Sequence, residues 1–402
     1  MSRTADYTIQ GFLYQFNKTL LEIINSPEDT KVTVEGIVED IDIVAPSGTR
    51  AIQCKYHEAQ QHFSLSLLYK PLLQMMVHFN ANPSANVSYM LYGYFPEKSP
   101  GDKYPLTKED IQQVLSTKNK DYTKHINSLR ADFNDTGFLS VVSIEFGKSM
   151  DNLISDVQAA LVAAGIPQDD VELIAYPNAI NNIANVACRH DVPERTVCKA
   201  DLLAKLHSIR TTAISRWTLA LKTRTKLLAA RRKQLKPHLD INARDRHFLV
   251  AQDSLDDFDS DIVLFIADYL GKYHFKTAHI RTPFFCLDCT DEAFSDIRLR
   301  LHHKGIIAED GLVGDFFDER RFFREPMVRK LPRQGIEREF HVRLVRCGSQ
   351  PGIMNGHKGD DLFIIGGREY TDLDTQDVSV ERLAVSCLKE ARYVIGVSHD
   401  CN

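Results

Sequence analysis

The 402-residue chain is poor in the features that would settle its class at once. Its eight cysteines are sparse and irregularly placed, which excludes a disulfide framework and leaves reduced thiols, most of them small core residues. Cys286 and Cys289 form a CxxC, but no second CxxC or spaced histidine pair follows to complete a tetrahedral zinc site. No apolar run approaches the ~20 residues of a membrane-spanning helix. The opening MSRTADYTIQGF lacks the basic, apolar and small-residue segments of a signal peptide, so the expected location is the cytoplasm, with no membrane role. No P-loop is present, since GHKGDD is too short and lacks the hydroxyl residue, and no nucleophile elbow surrounds a serine or cysteine. His57, His62 and the pair His302-His303 stand at no metal-ligand spacing. The net charge of -5 excludes a global attraction to nucleic acid, so any DNA contact must come from a local patch.

What is present is a long alternation of periodicities, and 402 residues exceed the size at which one core usually stops growing. IQGFLYQFNKTLLEII carries apolar residues at helical spacing and ends at Asn25-Ser26-Pro27. KVTVEG, VEDIDIVA and RAIQCKY read as a strand meander, with a break at Gly36 and a turn at Pro46-Ser47-Gly48. SLSLLYKPLLQMMVHF reads as a helix despite Pro71, VSYMLYGYF and FLSVVSIEF as strands, and SMDNLISDVQAALVAAG as a helix. The expected fold is therefore α/β, with a mixed sheet flanked by helices in residues 1–177. A helical basic connector follows in 178–252, and a second α/β domain for oligomerisation and partner docking in 253–402. The acid-rich DSLDDFDSD from Asp253 to Asp261 marks the expected boundary.

The chemistry concentrates in EDIDIVAPSGTRAIQCKY. Alternate residues of a strand share a face, so Asp40 and Asp42 are expected together, as are Gln53 and Lys55, while Ile41, Ile43, Ile52 and Cys54 turn to the core. Two carboxylates, an amide oxygen and an ammonium suit a hard divalent cation that keeps waters and takes substrate phosphate oxygens. Such a cation polarises a phosphodiester and acidifies bound water, and a nearby lysine offsets developing charge. Gln53 removes one negative charge and cannot serve as a base. The competing reading is a solvated acidic face with cross-strand ion pairs.

DIDIVAPSGTRAIQCK resembles the PD-(D/E)xK motif of restriction-endonuclease-like nucleases, in the variant where glutamine replaces the second acid. With GFLYQ at Gly11 to Gln15, it is similar to the double-stranded DNA endonuclease domain of bacterial anti-phage defence effectors, most like the nuclease partners of HerA-type ATPases. The resemblance covers about the first 150 to 200 residues. It implies an Mg²⁺- or Mn²⁺-dependent endonuclease with Asp42, Gln53 and Lys55 as its catalytic core, acting on double-stranded DNA beside a separate ATPase subunit, as a homo-oligomer. It also implies a further acid, for which Glu22 and Glu35 compete and Glu35 is favoured. Asp42 is preferred to Asp40 as the metal ligand because DIVA follows the family's acid-plus-apolar strand, and Gln15 and Tyr14 could support the site. Two basic runs complete the reading. Arg224, Lys226, Arg231, Arg232 and Lys233 either neutralise DNA phosphates or form the solvated face of a helix, and Arg320, Arg321, Arg324, Arg329, Lys330 and Arg333 surround Phe322 and Phe323.

Overall fold

The computed structural model describes residues 3–28, 30–36, 38–60, 62–129, 133–314, 316–331, 336–347 and 352–400. The chain is mixed α/β and divides into two compact units, residues 1–210 and 211–402.

In the first unit, helix α1 (Arg3–Asn25) precedes strands β1 (Lys31–Val34), β2 (Ile41–Ala45), β3 (Gly48–Tyr56), β4 (Val87–Tyr94), β5 (Lys103–Tyr104), β6 (Val142–Phe146) and β7 (Thr196–Val197). They form one sheet in the order β5-β6-β4-β3-β2-β1-β7. β1, β2 and β3 run antiparallel, joined by tight connections; β4 lies parallel to β3 and β6 parallel to β4. Parallel neighbours require a crossover, which α2 (Tyr69–Ala81) supplies between β3 and β4. Pro71 sits in the first turn of α2, where its missing N–H is harmless. Strand β6 is shorter than the apolar run suggests, because Asn134 accepts the Gly137 N–H and starts a helix that consumes Asp135–Val141.

One face of this sheet is covered by α2, whose Leu72, Leu73, Met75 and Met76 pack with Ala51, Tyr89, Leu91 and Ile144. On α1, Leu13, Tyr14, Phe16, Leu20, Ile23 and Ile24 are buried. Tyr14 stacks on Tyr56 at 4.8 Å and on Tyr92 at 5.9 Å, and donates its hydroxyl to the Lys148 carbonyl at 3.0 Å. The neighbouring Gly147 is required by this close approach, since a Cβ there would strike the Tyr14 hydroxyl and the Tyr92 ring.

The second unit adds β8 (Arg246–Ala251), β9 (Phe284–Asp288), β10 (Ala308–Glu309), the hairpins β11 (Leu312–Val313) with β12 (Phe316–Phe317) and β13 (Val328–Lys330) with β14 (Ile336–Arg338), and then β15 (Val342–Arg346), β16 (Asp361–Ile365) and β17 (Ser379–Leu383). Six of these make an all-parallel sheet in the order β10-β15-β9-β8-β16-β17. Its central strands are near-continuous apolar runs, as burial on both faces demands. The parallel register sets Phe248 beside Phe285 and Phe363, and the three rings stack at 4.5 and 5.0 Å with Tyr269 edge-on at 4.7 Å.

The expected connector at 178–252 is divided between the units. Helices Tyr176–Ala187 and Lys199–Ser208 belong to the first, whereas helix Arg224–Leu239 and β8 belong to the second. The acid-rich run does not mark a boundary, because it directly follows the central strand β8. Its Asp257 accepts the Leu388 and Lys389 N–H groups at 2.6 and 3.2 Å, which caps helix Leu388–Ile395. Among the described residues no helix is long and apolar enough to cross a membrane.

Phe248→Ala removes the middle ring of the stack and should destabilise the second unit by about 3–5 kcal/mol, read as an earlier denaturant midpoint.

Candidate active site

The hairpin β2–β3 forms with Ile41 opposite Ile52 and Asp42 opposite Ala51. Beyond Ile41 the ladder ends, and the Glu35 N–H donates to the Asp40 carbonyl at 2.8 Å. Asp40 therefore leaves the strand alternation. Its carboxylate turns to β3, accepting the Cys54 N–H at 2.9 Å and the Gln53 amide NH₂. Asp42 remains in the strand, and its carboxylate accepts the Val38 and Glu39 N–H groups at 3.0 and 3.2 Å. It packs so closely on Gly36 that any Cβ there would collide with it.

This corrects the expectation for the two acids. Asp40, Glu35, Gln53, Lys55, Tyr56 and His57 line one open cleft of about 430 Å³ together with Thr8, Gly11, Phe12 and Gln15 of α1. Asp42 does not line it and caps the loop instead. The shared face expected for Asp40 and Asp42 is lost because β2 starts at Ile41.

Glu35 supplies the cleft's other acid. Its backbone is left-handed, φ 49°, a conformation that costs a non-glycine residue on the order of 1 kcal/mol or more. Gln15 of α1 donates its amide to Glu35 Oε1 at 2.8 Å, and Arg195 donates to the Glu35 carbonyl at 3.0 Å. Glu22 lies elsewhere, paired with Lys18 at 2.7 Å and with Arg50. Lys55 has no ion-pair partner within 4.0 Å among the described residues.

Burial raises the Asp40 pKa above its ordinary value, and the Glu35 charge adds to this, while the Cys54 N–H, Lys55 and Gln53 oppose it. Partly desolvated carboxylates that repel each other are the electrostatic state a divalent cation relieves. Among the described residues no three His, Cys, Asp or Glu side chains converge as a metal cluster. The oxygen donors of the cleft include two carboxylates, Glu35 and Asp40, and the amides of Gln15 and Gln53, and the carboxylates with Gln53 fit an ion such as Mg²⁺ that keeps several waters. The amide of Gln53 presents its NH₂ to Asp40, so its oxygen reaches a shared ion only after the amide turns over.

Two further groups were invisible to motif reading. Glu39 is 8% exposed, and its Oε1 has no partner among the described residues. Burial first, then the charges of Asp40 and Asp42, push its pKa up to about 8, with Lys55 pulling the other way. His57 stacks on Phe95 at 4.9 Å, and its buried Nε2 also lacks a partner among the described residues. Burial and the Lys55 charge push its pKa down, so the ring is neutral at pH 7.

The basic residues of helix Arg224–Leu239 are largely engaged inside the second unit. Arg231 is 7% exposed and pairs with Glu381, Arg224 pairs with the fully buried Glu390, and Arg232 donates to the Ser398 carbonyl at 2.9 Å over the Tyr393 ring. Lys226 and Lys233 are exposed. The expected phosphate-binding stripe is thus reduced, because Arg224 and Arg231 neutralise acids of the same unit. In the second basic run Arg321 pairs with Glu309 at 3.1 Å and Arg324 with Glu339 at 2.6 Å, while Arg320, Arg329 and Lys330 are exposed. Arg333 lies outside the described residues.

No family model and no curated protein matches the chain. Among solved structures it is similar to the Acinetobacter baumannii Cap4 SAVED/CARF-domain containing receptor, at 11% identity and a TM-score of 0.28, over 88% of this chain and 90% of that one. The same receptor with the cyclic trinucleotide 3'3'3'-cAAA gives 9% identity and a TM-score of 0.28, over 98% and 94%. A TM-score of 0.28 transfers neither fold nor function, so the site stands on its own geometry.

Between about pH 4.5 and about 8 the unfolded chain has released the Glu39 proton while the folded chain retains it. Stability should therefore fall across that window. Thermal melts should show Glu39→Gln raising the midpoint at pH 8.5 and leaving it unchanged at pH 4. A Cβ at Gly11 meets nothing within 4 Å, so Gly11→Ala should fold at least as stably as the parent, by about 0.5–1 kcal/mol, in the same melts.

Proposed function

We propose that the first unit is a metal-dependent DNA endonuclease whose reacting groups are Asp40, Glu35, Gln53 and Lys55. The observation that carries this reading is their meeting in one open cleft, with Lys55 free of an ion-pair partner among the described residues. Asp40 and Glu35, joined by the Gln53 amide oxygen, would hold a Mg²⁺ or Mn²⁺ ion, which when bound polarises the phosphodiester and acidifies a water.

The chain's own groups divide the remaining work. Lys55 presents a compact positive charge to the phosphate, orients the attacking water and offsets the charge that develops on the non-bridging oxygens. Gln53 is neutral, so it lowers the negative charge of the site and takes no proton. Asp42 holds the loop that carries Glu35 and Asp40, and acts through their position. The α1 wall, open at Gly11 and exposing Phe12, leaves room for a polynucleotide strand. The resemblance of GFLYQ, EDIDI and IQCKY supports double-stranded DNA as substrate, an anti-phage defence setting and an associated HerA-like ATPase. With no P-loop in the chain, any ATP-driven step belongs to that separate subunit.

One observation favours a second reading. The Gln53 NH₂ already satisfies Asp40 without a cation, as a non-catalytic subunit that keeps the fold to bind DNA or assemble would require.

Incubation with linear and supercoiled DNA and Mg²⁺, alone and with the ATPase partner, separates the two. Asp40→Ala and Lys55→Ala should each reduce cutting by about 100-fold or more, whereas Asp42→Ala should chiefly lower the thermal midpoint. Cutting that survives both of the first two substitutions sinks the site, and a parent chain that never cuts favours the assembly reading.

A further inference from the structure

The left-handed Glu35 is contacted by a residue far from the hairpin as well as by the local Asp40 carbonyl. Strand β7 pairs antiparallel with the outer edge of β1, Thr33 opposite Thr196 and Val32 opposite Val197, and the two threonine hydroxyls lie 3.2 Å apart. That register sets Arg195 beside the end of β1, where the strand gives way to Glu35. The guanidinium of Arg195 then donates to three carbonyls at once. It reaches Glu35 at 3.0 Å, Arg189 at 2.7 Å and His190 at 3.2 Å. A planar fork of fixed donors is needed for this, and a lysine ammonium on a flexible stem does not reproduce it. Gln15 fixes the carboxylate end of Glu35 and Arg195 fixes its backbone end, so the acid is held from two sides in a conformation it would not otherwise prefer.

We propose that Arg195 is a positioning residue of this site, holding Glu35 where its carboxylate can share a divalent cation with Asp40. The proposal rests on the cleft being a metal site. Arg195 lies 160 residues from Glu35, within the first unit but outside the hairpin. Metal affinity is therefore set from outside the hairpin that carries the metal-binding side chains. Residues that orient ligands through a second contact typically change affinity by about 10- to 100-fold when removed.

The test is calorimetric titration of the full chain with Mn²⁺ alone, with circular dichroism to confirm folding. Arg195→Ala should weaken Mn²⁺ binding by about 10- to 100-fold, and Arg195→Lys, which keeps the charge but loses the planar fork, should fall between it and the parent. In a Glu35→Gln background the same Arg195→Ala change should add no further loss, because the residue acts through Glu35. Unchanged Mn²⁺ affinity in Arg195→Ala, or an equal further loss in the Glu35→Gln background, overturns the positioning role. If Arg195→Ala fails to fold, Arg195→Lys carries the same comparison. Failure of the underlying site reading looks different, since Asp40→Ala would then bind Mn²⁺ as the parent does or the parent would bind none, and either result removes this proposal too.

Discussion

The hydrogen bond from the Cys54 N–H to the Asp40 carboxylate joins the end of β2 to the middle of β3 at the point where their ladder stops. A buried N–H left unpaired there would cost about 1–3 kcal/mol, and the acid that satisfies it is the same acid that faces the cleft. Loop closure, strand termination and site assembly are therefore one event. The Glu35 N–H on the Asp40 carbonyl and the Asp42 carboxylate on Val38 and Glu39 complete it from the loop side.

Much of the site was legible in the sequence, because alternation and turn chemistry are local. The turn at Pro46-Ser47, the pairing of β2 with β3, and the presence of Gln53 and Lys55 on one strand all follow from short-range pattern. That Asp40 and not Asp42 lines the cleft was not legible. Alternation assumes that the strand continues, and here it ends one residue early because two loop N–H groups need the Asp42 carboxylate. Arg195 left no signal at all, standing 160 residues from Glu35 in a segment with no motif.

The basic helix shows the complementary limit. A run of arginines and lysines has the composition of a phosphate-binding face, yet the helix buries Leu227, Leu228, Leu235 and Leu239 along with Arg231. The acids that claim its arginines, Glu381 and Glu390, come from the last strand and last helix of the chain. Local charge density is readable from sequence; which charges meet in space is decided by topology. The same holds for the acid-rich run after β8, whose Asp257 caps a helix 131 residues later.

The 160 residues between Glu35 and Arg195 also carry a consequence in time. A ribosome releases roughly 5–20 residues per second, so the hairpin emerges on the order of ten to thirty seconds before its clamp does. Before then Asp40 and Lys55 are already in the chain, and Glu35 has only its local contacts, the Asp40 carbonyl and Gln15. The cleft reaches its final form only when β7 pairs with β1 and Arg195 meets the Glu35 carbonyl.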